Sequence, residues 1–238
     1  MVILSYQNPL QNHIFNKYSQ NGEDGIISEI LKRLGNKINN WNICEFGAWD
    51  GIFLSNTFKL LQDDANIKAL YIEGDKDRYS DLLLTCSKYT NIIPHCGYVS
   101  YQNNDDSLDN ILKKHNFPVD FLLLSIDIDS WDYQVFKSLE IFRPIIIIIE
   151  INSSISPLNE EYIHDGVNMA GTSFMPMYIL GIQKGYNLVC HTGNMIFVRN
   201  DYYSYLSLPE NTIENVLNIF NPVWLKANNY SEYKMLYL

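Results

Sequence analysis

Basic residues are scarce in this sequence. Its 238 residues include 17 Lys and Arg against 27 Asp and Glu, which gives a formal net charge of −10. A protein that binds a nucleic-acid backbone needs a basic surface to neutralise the phosphates. We therefore expect no nucleic-acid partner, whereas a small acidic substrate, which needs only a local basic site, is not excluded.

Cysteine pairs and long apolar runs are also missing. The four cysteines, Cys44, Cys86, Cys96 and Cys190, form no Cys-x-x-Cys motif, and because three of them lie in or beside apolar runs we expect buried, reduced thiols. The most apolar segment, "PIIIIIEI" at 144–151, is far shorter than the roughly 20 residues that span a bilayer. The N-terminal sequence lacks the basic stretch that begins a signal peptide. These features predict a cytoplasmic protein with no membrane partner.

What the sequence does contain is an alternation of strand-like and helix-like segments. The apolar, strand-like runs are "NICEF", "ALYIEGD", "NIIPHCGYV", "DFLLLSIDID" and "PIIIIIEIN". Between them, segments such as "GEDGIISEILKRLG" and "LSNTFKLLQ" carry apolar residues at helical spacing. The alternation predicts a doubly wound α/β sheet that is buried on both faces. Pro94 makes the third run unsuited to a central strand.

The remaining sequence predicts one domain over residues 1–238 with three distinct segments. Residues 1–40 form an N-terminal helical segment, and 152–171 is polar, long for a connection and a candidate lid. Near the C-terminus, "YNLVCHTGNMIFVRND" predicts an antiparallel hairpin around Thr192–Asn194. The aromatic-rich extension 202–238 either packs on the domain or forms a contact in a homodimer, and the sequence does not choose between them.

Acidic residues end four of the predicted strands: Glu45, Glu73, Asp127 and Glu150. In open α/β sheets, ligands bind beyond the carboxyl ends of the strands. The first turn, "EFGAWDG", lacks the glycine spacing of a dinucleotide-binding loop and carries two acids, so it repels a pyrophosphate. A ligand with an ammonium or sulfonium centre and a ribose fits better, because a carboxylate can accept hydrogen bonds from both ribose hydroxyls.

Four of these segments carry a family resemblance. "EFGAWDG" and "IEGD", with "YSQNGEDGII" before and "LLLSIDIDSWDY" after them, resemble S-adenosylmethionine-dependent methyltransferases of the FkbM-like group. The resemblance implies a Rossmann-like fold whose seven-stranded, mostly parallel sheet closes with an antiparallel C-terminal hairpin. It also implies S-adenosyl-L-methionine as cofactor, a small-molecule acceptor related to carbohydrates, and a place in polysaccharide biosynthesis.

The same resemblance implies a set of cofactor-binding residues. Around the methionine part it places Glu45, Gly47, Asp50, Ser55 and Asn56. Around the ribose it places Glu73, and beside the adenine Gly97 and Tyr98. It adds Ser19 and Gln20 from the N-terminal segment and Asp127 from the fourth strand.

The acceptor chemistry is expected at "SIDIDSWDY". Asp127 and Asp129 share a face if the strand continues to Asp129. In the FkbM-like group a glycine commonly follows the second acid, whereas here Ser130-Trp131 follows it, and Trp131 is a candidate for the acceptor pocket. If no metal is bound, a general base must take the proton of the acceptor hydroxyl, and the candidates are Asp127, Asp129 and His191.

A metal ion is a second possibility at the same place. The fourth and fifth strands are predicted neighbours, so Asp127 is expected near Glu150 and Asn152. Carboxylate and amide oxygens suit Mg²⁺ or Mn²⁺, which would lower the pKa of the acceptor hydroxyl. The alternative is that these acids cap helices and bind the cofactor without a metal.

Three hypotheses for function follow. The first is an O-methyltransferase that acts on a hydroxyl of a sugar or glycan precursor. The second is a metal-dependent glycosyltransferase, because Asp127-Ile128-Asp129 after an apolar strand is similar to the Asp-x-Asp motif of nucleotide-sugar enzymes. The third is a catalytically inactive domain that keeps the fold and binds a partner. Binding of S-adenosylhomocysteine favours the methyltransferase, and binding of nucleotide-sugars without it favours the glycosyltransferase. Function that survives replacement of Asp127 by alanine favours the inactive domain.

Overall fold

The computed structural model describes residues 8–157, 162–168, 171–210 and 212–221. The first residues of the N-terminal segment 1–40, parts of the candidate lid 152–171 and the end of the extension 202–238 lie outside these residues. Within them, no helix combines the length and the apolar character needed to cross a membrane.

Seven strands form one sheet in the described part of the chain, in the order β3-β2-β1-β4-β5-β7-β6. The parallel strands are β1 (Asn42–Phe46), β2 (Lys68–Glu73), β3 (Ile92–Cys96), β4 (Leu123–Ile126) and β5 (Ile146–Glu150). The closing hairpin consists of β6 (Tyr186–His191) and β7 (Asn194–Arg199), and β7 pairs antiparallel with β5. This order confirms the predicted doubly wound, Rossmann-like sheet with its antiparallel C-terminal hairpin.

Helices flank the sheet on both sides. They are α1 (Glu23–Leu34), α2 (Phe58–Asp63), α3 (Lys76–Cys86), α4 (Leu108–Lys114), α5 (Asp132–Ser138), α6 (Phe174–Gln183), α7 (Asn200–Tyr203) and α8 (Ile213–Ile219). Helix α3 begins at the residue where the sequence predicts it, because the Asp75 side chain accepts hydrogen bonds from the backbone N–H groups of Asp77 and Arg78.

The isoleucine run of β5 shows why the central strands are continuously apolar. Successive side chains of a strand point to opposite faces of the sheet. Ile147 and Ile149 therefore join the core on one face, and Ile146 and Ile148 join the core on the other. All four are fully buried, so truncating any one to alanine should cost about 2–5 kcal/mol of stability.

Two local features refine the predictions. Pro94 lies in β3, which pairs only with β2 and forms one edge of the sheet, where a missing N–H group is tolerated. The helix predicted in "LSNTFKLLQ" begins only at Phe58. The residues before it stay non-helical because their polar groups bind the carboxylate of Glu45, a long-range demand that helical spacing does not reveal.

Candidate functional site

A cavity of about 730 Å³ opens at the carboxyl ends of the parallel strands. Its walls include the last residues of β1, β2 and β5 and the turns that follow β1, β2, β3 and β4. This is the edge at which the fold places a ligand. The cavity contains most, but not all, of the predicted site residues.

Glu45 is the most heavily bonded acid of the cavity wall. Its side chain accepts hydrogen bonds from Ser55 Oγ at 2.7 Å, from the backbone N–H of Asn56 at 2.9 Å and from the hydroxyl of Thr57. Burial raises its pKa, and these donors partly offset that effect. Glu45 thus fixes the loop 55–57, from which Ser55 reaches the cavity, whereas Asn56 donates to Ser125 Oγ on β4 instead.

Glu73, at the end of β2, is held by two backbone groups. Its Oε2 accepts from the N–H of Trp49 at 2.8 Å, and its Oε1 accepts from the N–H of Asp75 at 2.8 Å. The carboxylate is therefore oriented before any ligand arrives. Carboxylate oxygens have further lone pairs, which leaves capacity for a diol.

Close backbone approach explains the first glycine of the turn. Gly47 has a φ of 76°, and a Cβ built on it would lie 1.8 Å from the carbonyl oxygen of Asp127. The turn after β1 and the end of β4 can approach each other in this way only with glycine at this position.

The structure brings Gln20, Gly97 and Tyr98 to the cavity but not Asp50 or Ser19. The Asp50 carboxylate accepts from the backbone N–H groups of Ile52 and Phe53, so it caps its own turn. Ser19 is buried, and its hydroxyl donates to Asn16 and accepts from the N–H of Asp24. These two residues stabilise loops beside the cavity rather than line it.

Three carboxylates meet at the other end of the cavity. Oxygen atoms of Asp127, Asp129 and Glu150 all lie within 4.8 Å of one another. Burial, and then repulsion from neighbouring acids, raises the pKa of both Asp127 and Glu150, which are hydrogen-bonded to each other. Two carboxyl groups in such contact share a proton rather than both ionise. The arrangement offers a proton acceptor near neutral pH or oxygen ligands for a cation.

The predicted amide ligand Asn152 is not among the residues that line the cavity. Its Oδ1 accepts from the backbone N–H of Ser154 at 3.1 Å and from the Ser154 hydroxyl. β4 ends at Ile126, so the strand does not reach Asp129, which adopts a left-handed backbone with φ of 59° in the turn that follows. This turn brings the Asp129 carboxylate to Asp127.

Sequence reasoning gave no role to Asp132, which holds this turn. Its buried carboxylate accepts from the backbone N–H of Ile128 at 2.9 Å and of Ser130 at 3.0 Å. Burial raises the pKa of Asp132 to about 6. The available signal was its position at the start of α5, where an acid commonly binds free backbone N–H groups.

His191, a predicted base, lies in the core away from the cavity lining. It is fully buried, its ring stacks on Phe220, and its Nδ1 accepts from the backbone N–H of Asn221 at 2.8 Å. Burial lowers the pKa of His191 to about 3. The sequence placed it near the site because it ends β6, but its side chain points into the core beneath α8.

Aromatic contacts form the wall beside the three carboxylates. The Trp131 ring lies 5.0 Å from that of Tyr101 and 4.9 Å from that of His164, and Trp131 lines the cavity. The amide of Gln134 donates to the carbonyl of His164 at 2.6 Å, which ties the described part of the 152–171 segment to α5. Only Trp131 was expected here, because contacts between distant loops leave no trace in the local pattern.

A second wall feature is the stacking of Arg78 on Trp49. The guanidinium carbon lies 4.2 Å from the ring centroid, a cation–π contact. Both residues line the cavity near Glu73. Arg78 lies in the first turn of α3, so the predicted helix that Asp75 caps was the signal that could have located it.

Comparisons with known proteins agree with this picture. Residues 101–179 match the model of the Methyltransferase FkbM domain. The match covers the turn at Asp127 and the aromatic wall, and it confirms the predicted resemblance to FkbM-type methyltransferases. No curated protein sequence matches the chain.

Several solved structures are similar to this chain at low sequence identity. The citrinin polyketide synthase CMeT domain is 14% identical with a TM-score of 0.48; the alignment covers 74% of this chain and 51% of that one. The N-terminal domain of EvdMO1 with SAH bound is 9% identical with a TM-score of 0.47, covering 76% and 80%. An S-adenosylmethionine-dependent methyltransferase from Clostridium acetobutylicum ATCC 824 is 10% identical with a TM-score of 0.45, covering 74% and 90%. This chain thus spans about half the length of the first of these.

Proposed function

We propose that this chain, a methyltransferase of the FkbM type, transfers the methyl group of S-adenosylmethionine to a hydroxyl group of a sugar, a glycan precursor or a related small molecule. The observation that carries the proposal is the cavity at the carboxyl edge of the sheet, with Glu73 oriented at one end and the Asp127–Glu150 pair at the other.

The cofactor end of the cavity fits an adenosyl sulfonium compound. Glu73 is positioned to accept the ribose hydroxyls, with Gly97 and Tyr98 beside it for the adenine. Gly47 and Gln20 border the space assigned to the methionine part. When bound, S-adenosylmethionine supplies an electrophilic methyl group on a positively charged sulfur.

The acceptor end supplies the base. As the acceptor oxygen forms its bond to the methyl carbon, the carbon–sulfur bond of the cofactor would break, its electron pair would stay on sulfur as a neutral thioether, and the Asp127–Glu150 pair would take up the hydroxyl proton. The pair is suited to this step because its raised pKa values bring proton exchange close to neutral pH. Asp127 and Glu150 are half-buried and Asp129 is exposed at the cavity, so the exclusion of water depends on the bound acceptor, which the fixed turn at Asp129 aligns.

The surroundings of this end favour a neutral, polyhydroxylated acceptor. Three carboxylates can accept hydrogen bonds from several hydroxyls, and Trp131 offers an apolar surface for a sugar ring. An acceptor with a phosphate or carboxylate next to the reacting hydroxyl would be repelled. The carbohydrate class itself and a role in polysaccharide biosynthesis rest on the family resemblance.

A divalent cation is the second candidate for this end. Asp127, Asp129 and Glu150 would hold Mg²⁺ or Mn²⁺ through hard oxygen ligands, with Asp129 instead of the expected Asn152. The cation would then lower the pKa of the acceptor hydroxyl in place of the base. Dependence of turnover on added Mg²⁺ after EDTA treatment selects this version, and full activity in EDTA selects the carboxylate pair.

The glycosyltransferase hypothesis fits less well. A nucleotide-sugar carries a pyrophosphate, and Arg78 is the only basic side chain among the described residues that line the cavity. That guanidinium already stacks on Trp49. Six acids share the same cavity, so the pyrophosphate would depend on a bound metal for nearly all of its charge compensation.

The test is methyl transfer to an acceptor panel. The protein is incubated with S-adenosylmethionine labelled in the methyl group and with neutral sugars, aminosugars and nucleotide-linked sugars, and the products are identified by mass spectrometry. A Glu73→Ala variant serves as the matched control. Label in a neutral sugar supports the proposal; consumption of a nucleotide-sugar without methyl transfer selects the glycosyltransferase, and cofactor binding with no transfer selects the inactive domain.

A further inference from the structure

The charges around the cavity are strongly unbalanced. Six carboxyl groups line it, from Glu45, Glu73, Asp75, Asp127, Asp129 and Glu150, and because Asp127 and Glu150 share a proton this pair counts as a single negative charge. None of the six forms an ion pair with a Lys or Arg side chain among the described residues. Arg78 is the single opposing charge in the lining. Excess negative charge that the protein does not compensate itself is available to a positively charged ligand.

The size of the cavity makes this charge effective at every point inside it. A sphere of the observed 730 Å³ is about 11 Å across, close to the roughly 8–10 Å over which charges act on one another at physiological salt. A cationic centre anywhere inside is therefore within range of most of the six carboxylates. Low-dielectric walls strengthen the attraction further.

The substrate and product of the proposed reaction differ in this one charge. The sulfonium of S-adenosylmethionine is positive, whereas the thioether of S-adenosylhomocysteine is neutral. The adenosine, the amino group and the carboxylate are the same in both. The ratio of the affinities for the two compounds therefore reports two effects only. One is the attraction of the carboxylates for the sulfonium charge, and the other is the contribution of a single methyl group.

We propose that the cavity binds the sulfonium form of the cofactor more tightly than the thioether form, so that loss of charge on methyl transfer drives release of the product. This inference rests on the proposed function. One unit charge attracted across about 6 Å at effective dielectric constants of 80 to 20 corresponds to a preference of about three- to a hundredfold. The transferred methyl group alone contributes about fourfold at most.

The two contributions are separated with sinefungin, which carries an ammonium group where the sulfonium methyl stands. Because it is cationic without being a sulfonium, it should bind like S-adenosylmethionine and more tightly than S-adenosylhomocysteine. Similar affinities for sinefungin and S-adenosylhomocysteine would show that charge has no role.

The experiment is calorimetric titration of the full chain with the three compounds in EDTA, so that no divalent cation offsets the carboxylates. It is repeated with Asp129→Asn, which removes one charge at nearly constant shape; asparagine tolerates the left-handed backbone at this position. Asp63→Asn, an exposed acid on α2 outside the cavity, is the control. We expect Asp129→Asn to reduce the preference at least threefold and the control to retain it.

The outcomes separate a failure of the charge-discrimination inference from a failure of the methyltransferase proposal. Equal binding of S-adenosylmethionine and S-adenosylhomocysteine, or a preference unchanged in the Asp129→Asn variant, overturns the charge-discrimination inference and leaves the methyltransferase proposal standing. Binding of none of the three compounds by the folded protein overturns the methyltransferase proposal and this inference with it.

Discussion

The two ends of the sheet use acidic residues in opposite ways. At the amino end of the parallel strands, Arg199 donates to Asp201 at 2.8 and 3.0 Å, to Asp120, and to the carbonyl of Arg143 at 2.6 Å. Burial by itself would raise the pKa of Asp201, but the hydrogen bonds and charge of Arg199 bring it below its usual range. Here the acids are matched by a cation.

At the carboxyl end, comparable acids have no such match. Burial and mutual repulsion raise the pKa of Asp127 and Glu150, and burial raises that of Asp132. Burying acids close to one another destabilises the folded chain by itself, and acids with pKa values shifted in this way are characteristic of functional sites. The comparison teaches that the fold pairs its acids with a cation at the amino end of the sheet. At the carboxyl end it leaves the acids without a cationic partner, so that a ligand can interact with them.

The largest expected effect is a loss of turnover when an acid at the carboxyl end of the sheet is replaced. Asp127→Asn should reduce methyl transfer by about 100- to 10,000-fold, the range for loss of a general base, because asparagine cannot take up the hydroxyl proton. Turnover is measured with the acceptor that the panel identifies, at saturating S-adenosylmethionine. Asp120→Asn, the matched change at the opposite end, should leave turnover unchanged, and equal losses in both variants would contradict the assignment.

The sequence predicted the general position of these acids because of a simple physical rule. A strand buried on both faces must be apolar throughout, so the first acid marks where the strand leaves the core. In the structure Glu73 and Glu150 each end a strand, Glu45 is the last residue but one of β1, and Asp127 directly follows β4. The alternation of apolar runs and helices predicted the doubly wound sheet, the turn at Thr192–Asn194 predicted the closing hairpin, and the family resemblance implied seven strands.

What the sequence could not supply are contacts made across long distances in the chain. The placement of Asp129 beside Asp127 depends on a left-handed turn that Asp132 holds. His191 and Asp50 occupy plausible positions in the sequence, but their orientations depend on α8 and on a local cap, respectively. The spacing of residues in the sequence predicts which helix or strand a residue belongs to and which edge of the sheet it lies near. The direction of its side chain is decided by packing.

The second prediction concerns the oriented acid at the cofactor end. Glu73→Ala should weaken binding of S-adenosylhomocysteine about 10- to 100-fold, since hydrogen bonds to a charged group contribute roughly 1.5–3 kcal/mol. Calorimetric titration measures the change. Because Glu73 also binds the N–H groups of Trp49 and Asp75, a thermal melt must show that the variant is folded. Unchanged affinity in a folded variant would remove Glu73 from the cofactor site.

A third change tests the compensated end. Arg199→Met keeps most of the buried volume but removes the partner of Asp120 and Asp201. Both carboxylates are largely exposed, so solvent limits the cost, and we expect a loss of about 1–3 kcal/mol, chiefly from the unpaired carbonyl of Arg143. Urea denaturation measures it. Methyl transfer below the melting temperature should be unaffected, and a large loss of turnover would contradict the separation of the two ends.

The smallest effect sharpens the comparison within the carboxyl end itself, where His191 is buried but does not line the cavity. Its folded-state pKa of about 3 lies below the usual value of 6.5, so the stability it contributes is present above pH 6.5 and is lost as pH falls towards 3. Between pH 6.5 and 5 the loss should be about 1–2 kcal/mol.

A His191→Asn variant removes this titration and keeps an acceptor for the N–H of Asn221. Urea denaturation over that pH range should show a steeper decline for the natural chain than for the variant. Turnover of the variant at neutral pH should match that of the natural chain, because a buried group becomes functional only where it opens to the cavity, as Asp127 does. Parallel pH profiles of the free energy of unfolding would contradict the lowered pKa of His191. Loss of turnover in the variant would return His191 to the list of candidate bases.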